Sequence, residues 1–514
     1  MHARTDRAGD WIVTVAFVVV TGVMDESRVP PIAGADQLTP GRNCWRIERA
    51  DKAAVIVDAA DYFAAARAAM LVARKRIMLI GWDFDARIRF GDEGEGEPVP
   101  IGKFIQWLVK LRPGLQVYLL RWDLGLVKTM FRGSTPLTLL RWKLHKRIHF
   151  SLDGAHPTGA SHHQKIVVID DCLAFCGGID MTRSRWDTRA HRDEDPQRID
   201  PNGKPYGPWH DATTALTGPA AAALGALARD RWKCATGEQL EPVEAEGDCW
   251  PKGLVPAFEN IDVAIARTRP DYADEQEVHE IETLYLDLIA RARRSIYAES
   301  QYFASRKLAE ALAARLAEQD GPEIVLINPE QADGWLEQEA MDTARARLHE
   351  ALRRVGANGR FRIYHPFTAA GVPIYVHAKI MVIDDQVLRV GSSNWNNRSL
   401  RLDTECDIVI DASRSAARGE TAATISRLRD GLMAEHLDVE PETIASTFAE
   451  TSSLIETIDR LAGPGRSLRD YRSPDLAGVE KFLADHEVLD PEGPDEMFEP
   501  IARRGLFRRL RKPH

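Results

Sequence analysis

Cysteine is scarce in this chain. There are six in 514 residues (Cys44, Cys172, Cys176, Cys234, Cys249 and Cys406), and they form no double Cys-x-x-Cys arrangement. That excludes a zinc-ribbon type of site and, at this length, a disulfide framework. Cys172 and Cys176 fall at strand positions and read as small buried apolar side chains. Positive charge is also in deficit, with 67 Lys and Arg against 77 Asp and Glu and a net charge of −10. An acidic chain is poorly suited to nonspecific nucleic-acid binding. No apolar run reaches the roughly 18 residues that a membrane span requires. The run Trp11–Met24 has signal-peptide length, but Asp6 and Asp10 offset Arg4 and Arg7 before it, and the small-residue pattern Ala33-Gly34-Ala35 lies far beyond it. An export signal, an unprocessed extension and a start at Met24 all fit. The expected location is secreted, periplasmic or peripheral to a membrane, and not integral.

What the chain does contain is a repeated stretch. HHQKIVVIDDCLAFCGGIDMTRSRWD holds His163, Lys165 and Asp170; HAKIMVIDDQVLRVGSSNWNNRSLRLDTE holds His377, Lys379 and Asp384. Each is His-x-Lys with an Asp five residues past the Lys, then an apolar run, then Gly177-Gly178 or Gly391-Ser392. Two copies in matching context are an internal duplication. The VVID and MVID segments read as short buried strands. Side chains alternate along a strand, so each His shares a face with its Lys, the Cα atoms about 7 Å apart. A proton carrier or nucleophile beside a fixed cation suits a phosphoryl centre, where negative charge develops on non-bridging oxygens. Asp170 and Asp384 fall on the opposite face and open an Asp-Asp turn, so a structural role comes before a catalytic one. Gly177 and Gly391 mark a sharp turn or a close backbone approach.

The rest of the chain alternates strands and helices. Strands are expected at 53–58, 77–85 and 115–122, with helices at 61–76, where Asp61 is the expected N-cap, and at 102–112. The acidic segment 91–98 is a loop, and a further helix precedes RIHFSLD. The second half repeats the order, with strands at 262–268, 295–303, 323–329 and 360–366 and helices at 275–294, 305–318 and 335–355. The pattern implies βαβ units and an α/β fold with two layered halves. The expected domains are an irregular or removable extension (1–43), a first half (44–236), an acidic, proline-interrupted linker (237–260), a second half (261–440) and a helical, finally basic tail (441–514). Tail residues 502–514 interleave Arg and Lys with Leu506, Phe507 and Leu510, which suits either a solvated end or attraction to anionic headgroups.

These residues resemble the phospholipase D superfamily, most closely phospholipase D proper. The resemblance rests on the paired HxKxxxxD motifs, on AFCGGID and RWD after the first, on IYAESQYF, and on GSSN, NRSL and DTE after the second, and it covers roughly residues 44–440. It implies two similar halves, each a layered mixed β-sheet flanked by helices, packed about a pseudo-twofold axis with a shared active site. It implies a two-step displacement at a phosphodiester with no cofactor and no metal, and the sequence displays no ligand cluster for one. His163 would be the nucleophile, and His377 would protonate the leaving alcohol and then activate water. Lys165, Lys379, Ser392 and Asn394 would hold phosphate oxygens. The first copy has Gly178 and Asp180 in place of Ser392 and Asn394; an ionised Asp cannot donate to phosphate, so Asp180 reads as structural.

Two histidines in opposite roles need opposite protonation states, and each needs a carboxylate on its other ring nitrogen. Glu405 is the expected partner of His377, and Asp211 that of His163. Trp186, Gln301 and Tyr302 are substrate-pocket candidates, with Phe303, His162 and His210 behind them. The leading function is hydrolysis of glycerophospholipids to phosphatidic acid and a free headgroup, at a membrane surface, with water or a primary alcohol as acceptor. A cardiolipin synthase-like phosphatidyltransferase comes next. A nuclease is disfavoured by the acidic charge, and a non-enzymatic scaffold by the intact His-x-Lys pairs.

Overall fold

The computed structural model describes residues 37–472, apart from 92–97, 124–137, 139–140, 143, 245–246, 333–334 and 356–358. The apolar N-terminal run, most of the acidic loop, most of the helix expected before RIHFSLD and the basic tail lie outside the described residues. Among the described residues no helix is long and apolar enough to cross a membrane.

The strands of the first half are β1 (Arg46–Val57), β2 (Arg76–Gly81), β3 (Gln116–Trp122), β4 (Ile148–Asp153), β5 (Ile166–Ile169), β6 (Leu173–Gly177), β7 (Trp209–His210) and β8 (Ala212–Thr217). Those of the second are β9 (Phe258–Arg269), β10 (Val278–His279), β11 (Ser295–Glu299), β12 (Glu323–Ile327), β13 (Phe361–Phe367), β14 (Tyr375–Val376), β15 (Ile380–Ile383), β16 (Val387–Gly391) and β17 (Glu405–Asp411), followed by β18 (Ser467–Asp470). All but β7 and β14 join one 16-stranded mixed sheet, in the order β18-β13-β12-β11-β15-β16-β17-β9-β1-β8-β6-β5-β2-β3-β4, with β10 on β9. Read outward from its centre, the order is the same in both directions. β1, β8, β6, β5, β2, β3 and β4 match β9, β17, β16, β15, β11, β12 and β13, and each matched pairing has the same parallel or antiparallel sense. The equivalent strands β1 and β9 lie antiparallel, with Arg46 opposite Ile265 and Ala53 opposite Phe258. An antiparallel pair of equivalent strands places a twofold axis between them. The two expected halves are therefore present, fused edge to edge into one sheet.

The central strands are continuous apolar runs because both faces are covered. Ile77 and Leu79 of β2 join one core with helices Ala59–Val72 and Ile101–Leu111, whereas Met78 and Ile80 join a second core on the other face. That second core runs through both halves and takes in helices Pro219–Thr236 and Arg418–Leu437. A third covers the second half with helices Glu280–Arg291 and Arg306–Ala317. Each large side chain buried this way contributes about 1.5–3 kcal/mol.

Three expectations are corrected. Asp61 lies inside the first turn of helix Ala59–Val72; Asp58 occupies the N-cap position but makes no capping bond, because its side chain turns toward His191 and His210. Residues 441–470 are not a tail: helices Pro441–Thr451 and Leu454–Leu461 pack beside helix Arg418–Leu437, and β18 pairs with β13. Cys172 is not a buried apolar residue. It sits in the β5–β6 turn and forms a disulfide with Cys249 of the linker, their Cα atoms 6.1 Å apart. The linker returns across the first half, and Asp248 pairs with Lys52 at 3.1 Å, which brings the two cysteines together. Breaking this link with Cys172→Ser is expected to cost roughly 2–4 kcal/mol. It should lower the urea midpoint; identical midpoints for oxidised wild type and variant would remove the crosslink from the native state.

Candidate active site

The two His-x-Lys segments enter β5 and β15 from matching positions, and each is held by the opposite half. His162 bridges Thr404, and the His163 N–H donates to the Thr404 carbonyl at 3.0 Å. In the mirror arrangement β14 pairs with β7, Val376 beside His210, and the His377 N–H donates to the His210 carbonyl at 2.7 Å. The next residue after each backbone partner is an acid. Glu405 therefore stands at His163, with Nδ1 3.0 Å from both carboxylate oxygens, and Asp211 stands at His377, with Nδ1 2.7 Å from Oδ2. This crosses the pairing read from sequence. The physical reason is that each acid follows a strand which touches the other half's His-x-Lys segment.

With Nδ1 held by a carboxylate, Nε2 of each ring has no hydrogen-bond partner among the described residues. The His163 side chain is 16% exposed and that of His377 8%, so both rings sit at the floor of a site rather than on a surface. The centres share one electrostatic field. The Lys165 and Lys379 charges both lower His163, and Lys379, Arg185, Lys165 and His163 all lower His377. Burial is the largest cause in each case, and both imidazoles lie well below the usual histidine range. The expected opposition of protonation states is therefore not carried by the rings alone. It lies in their partners. Burial pushes Glu405 up to about 8, while Asp211 is raised by burial and pulled back by Lys379. The two dyads thus differ in how strongly the carboxyl group holds a proton.

The lysines differ too. Lys165 donates to the His163 carbonyl at 2.8 Å and lies 3.4 Å from Asp180 Oδ2. Lys379 donates to the His377 carbonyl and faces Gln301 Oε1 at 3.5 Å; burial lowers it to about 7. Asp180 also accepts the Trp82 N–H at 3.0 Å, a structural use that matches the reading of that position.

Several candidates are moved by the geometry. Asp170 accepts the N–H groups of Arg74, Lys75 and Arg76 at 2.6–2.8 Å, and Asp384 those of Arg293, Arg294 and Ser295 at 2.7–2.8 Å. Both lie in three-residue turns whose Asp-Asp pairs have positive φ, at the far end of the strand from the histidine, about 20 Å away in extended chain. They anchor the entry to β2 and β11, and their place among the catalytic candidates is withdrawn. Asp384→Ala should lower stability by about 3 kcal/mol through three orphaned N–H groups while kcat of the surviving fold stays within about threefold. A stable variant without turnover would restore the catalytic reading.

Ser392 does not face a phosphate site. Its hydroxyl donates to Glu405 and accepts the Cys406 N–H at 3.0 Å, so it positions the carboxylate. Asn394 donates to Gln301 at 3.4 Å beside Lys379, and its buried Oδ1 has no partner among the described residues. Gln301 bridges Lys379 and Asn394 to the hydroxyls of Tyr302 and Tyr375, at 2.9 and 2.8 Å. Trp186 lines a separate cavity of about 660 Å³ with Asp61, Arg87 and Tyr206, and none of the four His-x-Lys residues borders it. Phe303 is core, packed on Trp395 and Phe361. His162 and His210 are fully buried, facing Asp153 and Glu299 at 3.0 and 2.7 Å, and cannot contact substrate.

The sequence reading missed the aromatic frame. Trp82 stands edge-on to His163 and stacks on Trp122; Trp209 stacks on Tyr375 and lies against His377, with the Arg185 guanidinium 4.0 Å above it. Trp82 follows β2, which runs antiparallel to β5, so its position beside His163 follows from strand pairing and not from any local motif. The glycine reading is met by close approach: a Cβ on Gly177 would lie 2.4 Å from Thr213 Cα, and one on Gly391 2.0 Å from Asp407 Oδ1; Gly178 is as tight, 2.2 Å from Asp211 Oδ1.

Two family models match the chain. The one described as "Phospholipase D" covers residues 69–311, and the one described as "Cardiolipin synthase, PLD-like domain" covers residues 285–424. Phospholipase D A of Dictyostelium discoideum is 24% identical over 75% of this chain and 35% of its own length. Phospholipase D alpha 1 of Arabidopsis thaliana is 25% identical over 84% of this chain and 68% of its own. The chain thus spans about a third of the first relative and about two thirds of the second. The solved structure of phosphatidylserine synthase from Haemophilus influenzae Rd KW20 has a TM-score of 0.53 at 13% identity, over 79% of this chain and 96% of that one, a likeness of fold.

Proposed function

This chain belongs to the phospholipase D superfamily, and from that premise we propose that it is a phospholipase D-type phosphodiesterase acting on glycerophospholipids. The observation that carries the reading is the pair of Nδ1–carboxylate dyads, one histidine from each half, flanked by Lys165 and Lys379. By the family's pattern, His163 Nε2 attacks phosphorus. An N–P bond forms, the P–O bond to the headgroup breaks, and the headgroup oxygen takes a proton from His377. Water then gives a proton to His377 and attacks phosphorus, the N–P bond breaks, and phosphatidic acid leaves. The depressed His163 supports attack, since the neutral ring is the nucleophile. His377 needs a proton, which the arriving phosphodiester anion favours by offsetting the lysine charges that hold the ring neutral. Lys165, Lys379 and Asn394 hold the non-bridging oxygens. Trp82, Trp209 and Tyr375 frame the approach.

The test is to incubate purified protein with mixed phospholipid vesicles and a primary alcohol and resolve the products by mass. Phosphatidic acid with phosphatidylalcohol is expected. Cardiolipin from phosphatidylglycerol would instead support the transferase reading, which the family model matching residues 285–424 favours. Neither product would end both.

The free enzyme should lose kcat/KM as pH rises. Lys379 is charged below about 7, so its hold on the phosphate oxygens is lost on the alkaline side. The kcat profile should hold to higher pH, because bound phosphate stabilises the Lys379 charge. A kcat/KM that climbs steadily from pH 7 to above about 8 would contradict this assignment.

A further inference from the structure

We propose that Asp58, His191, His210 and Glu435 form a binding site for one divalent transition-metal ion, zinc by its ligand chemistry. The sequence displays no such cluster, because the four residues come from four distant segments and only the fold brings them together. Each offers one ligand atom, all four atoms lie within 4.8 Å of one another, and all four residues are buried.

The separations fit a tetrahedral cage. His191 Nε2 lies 3.0 Å from Glu435 Oε1 and 3.6 Å from Asp58 Oδ2; His210 Nδ1 lies 2.7 Å from Glu435 Oε1 and 3.3 Å from Asp58 Oδ1. Ligands about 2.0–2.1 Å from zinc stand about 3.4 Å apart, so shifts of up to about 0.7 Å close the cage. One of these oxygens asks for a partner: Asp58 Oδ2 is buried with no hydrogen bond among the described residues, and His210 Nδ1 faces only the carboxylates of Glu435 and Asp58. Such atoms are costly unless something satisfies them.

The surroundings are those of metal-bound imidazoles. Ligating histidines usually give their other N–H to a carboxylate. His191 Nδ1 lies 2.9 Å from Asp187 Oδ2, and His210 Nε2 lies 2.7 Å from Glu299 Oε2. The second oxygen of Glu435 is held by Arg189 at 2.6 Å, leaving Oε1 for the cage. Asp58 and His191 also hold left-handed backbone (φ 66° and 40°), a cost that persists only where the surroundings enforce it. Two neutral imidazoles, two carboxylates and a dication sum to zero charge. The nitrogen ligands favour zinc over calcium or magnesium, which prefer all-oxygen shells. The ion would join helix Arg418–Leu437 of the second half to three segments of the first. It would also brace Asp211, whose N–H donates to Asp58 Oδ1 at 3.1 Å.

The bland alternative is a buried ion-pair network with protons in place of the metal. To decide, the full chain is purified without chelator or metal-affinity chromatography, dialysed against Zn²⁺ and gel-filtered. About one zinc per chain is expected, with Tm raised by roughly 3 °C over chelator-stripped protein and, after Co²⁺ loading, visible bands of a tetrahedral centre. His191→Gln and Glu435→Gln should each lose the ion. If neither variant folds, X-ray absorption of the wild-type zinc must show two imidazoles and two oxygens, and zinc must stay in His377→Ala. Folded wild type with less than about 0.1 zinc per chain would overturn the proposal in favour of the ion-pair network. Full zinc retained in folded His191→Gln would overturn it as well.

Discussion

His163→Ala is expected to leave less than about one part in 10⁴ of wild-type kcat/KM, and His377→Ala a similar fraction for a natural phospholipid. The losses arise from different steps, and a change of leaving group separates them. His163 is proposed to form the bond to phosphorus, and no substrate chemistry replaces a missing nucleophile. His377 is proposed to give a proton to the departing alcohol, and a nitrophenolate leaves without one. A nitrophenyl phosphodiester should therefore restore the first step in His377→Ala but not in His163→Ala. In His377→Ala the second step stays slow, because no base activates water, so a phosphorylated His163 should accumulate and be visible by intact mass. The double variant should be no worse than His163→Ala, since groups acting in one sequence do not contribute additively. If the nitrophenyl substrate rescued His163→Ala instead, the two rings would exchange roles. Substantial phospholipid turnover in either single variant would remove the two-histidine scheme.

The duplication was legible because the physics of one strand repeats: His and Lys two residues apart share a face wherever the strand lies. The strand order was legible in outline for the same reason, since apolar runs such as IMLI, VYLL and IVLI are covered on both faces. What could not be read was anything that depends on which strand lies next to which. The fusion of the halves through β1 and β9 is a pairing of edges, and neither edge advertises its neighbour. The Cys172–Cys249 link needed the return path of the linker. Ser392 was assigned by position in GSSN, yet its hydroxyl faces Glu405 because β16 and β17 are antiparallel neighbours. The cluster around His210 had no local signal at all, because Asp58, His191, His210 and Glu435 become neighbours only across both halves. Asp170 and Asp384 show the opposite case. The alternation placed them away from the histidines, and the geometry gives the reason in six backbone N–H groups.

The crossing of the carboxylates yields the second large effect. Asp211→Asn should reproduce in weaker form the defect of His377→Ala, and Glu405→Gln that of His163→Ala, each lowering kcat by about 10²–10⁴. An amide matches the carboxylate in size but supplies no negative charge to an imidazolium and can present N–H to Nδ1, favouring the wrong tautomer. In Asp211→Asn the weakened step is proton donation by His377, so a nitrophenyl phosphodiester should recover most of the loss. In Glu405→Gln the weakened step is attack by His163, and the same substrate should recover little. KM should change less than about threefold in both, since neither carboxylate reaches the phosphate. Gly178→Ala belongs with Asp211→Asn, because its Cβ would lie 2.2 Å from Asp211 Oδ1 and push that carboxylate off His377. The pairing within each half, which the order of residues along the chain favours, predicts the reverse pattern. Rescue of Glu405→Gln but not of Asp211→Asn would mean that each half serves its own histidine. The exchange between halves makes neither half competent alone: an isolated first half would hold His163 without Glu405, and an isolated second half His377 without Asp211.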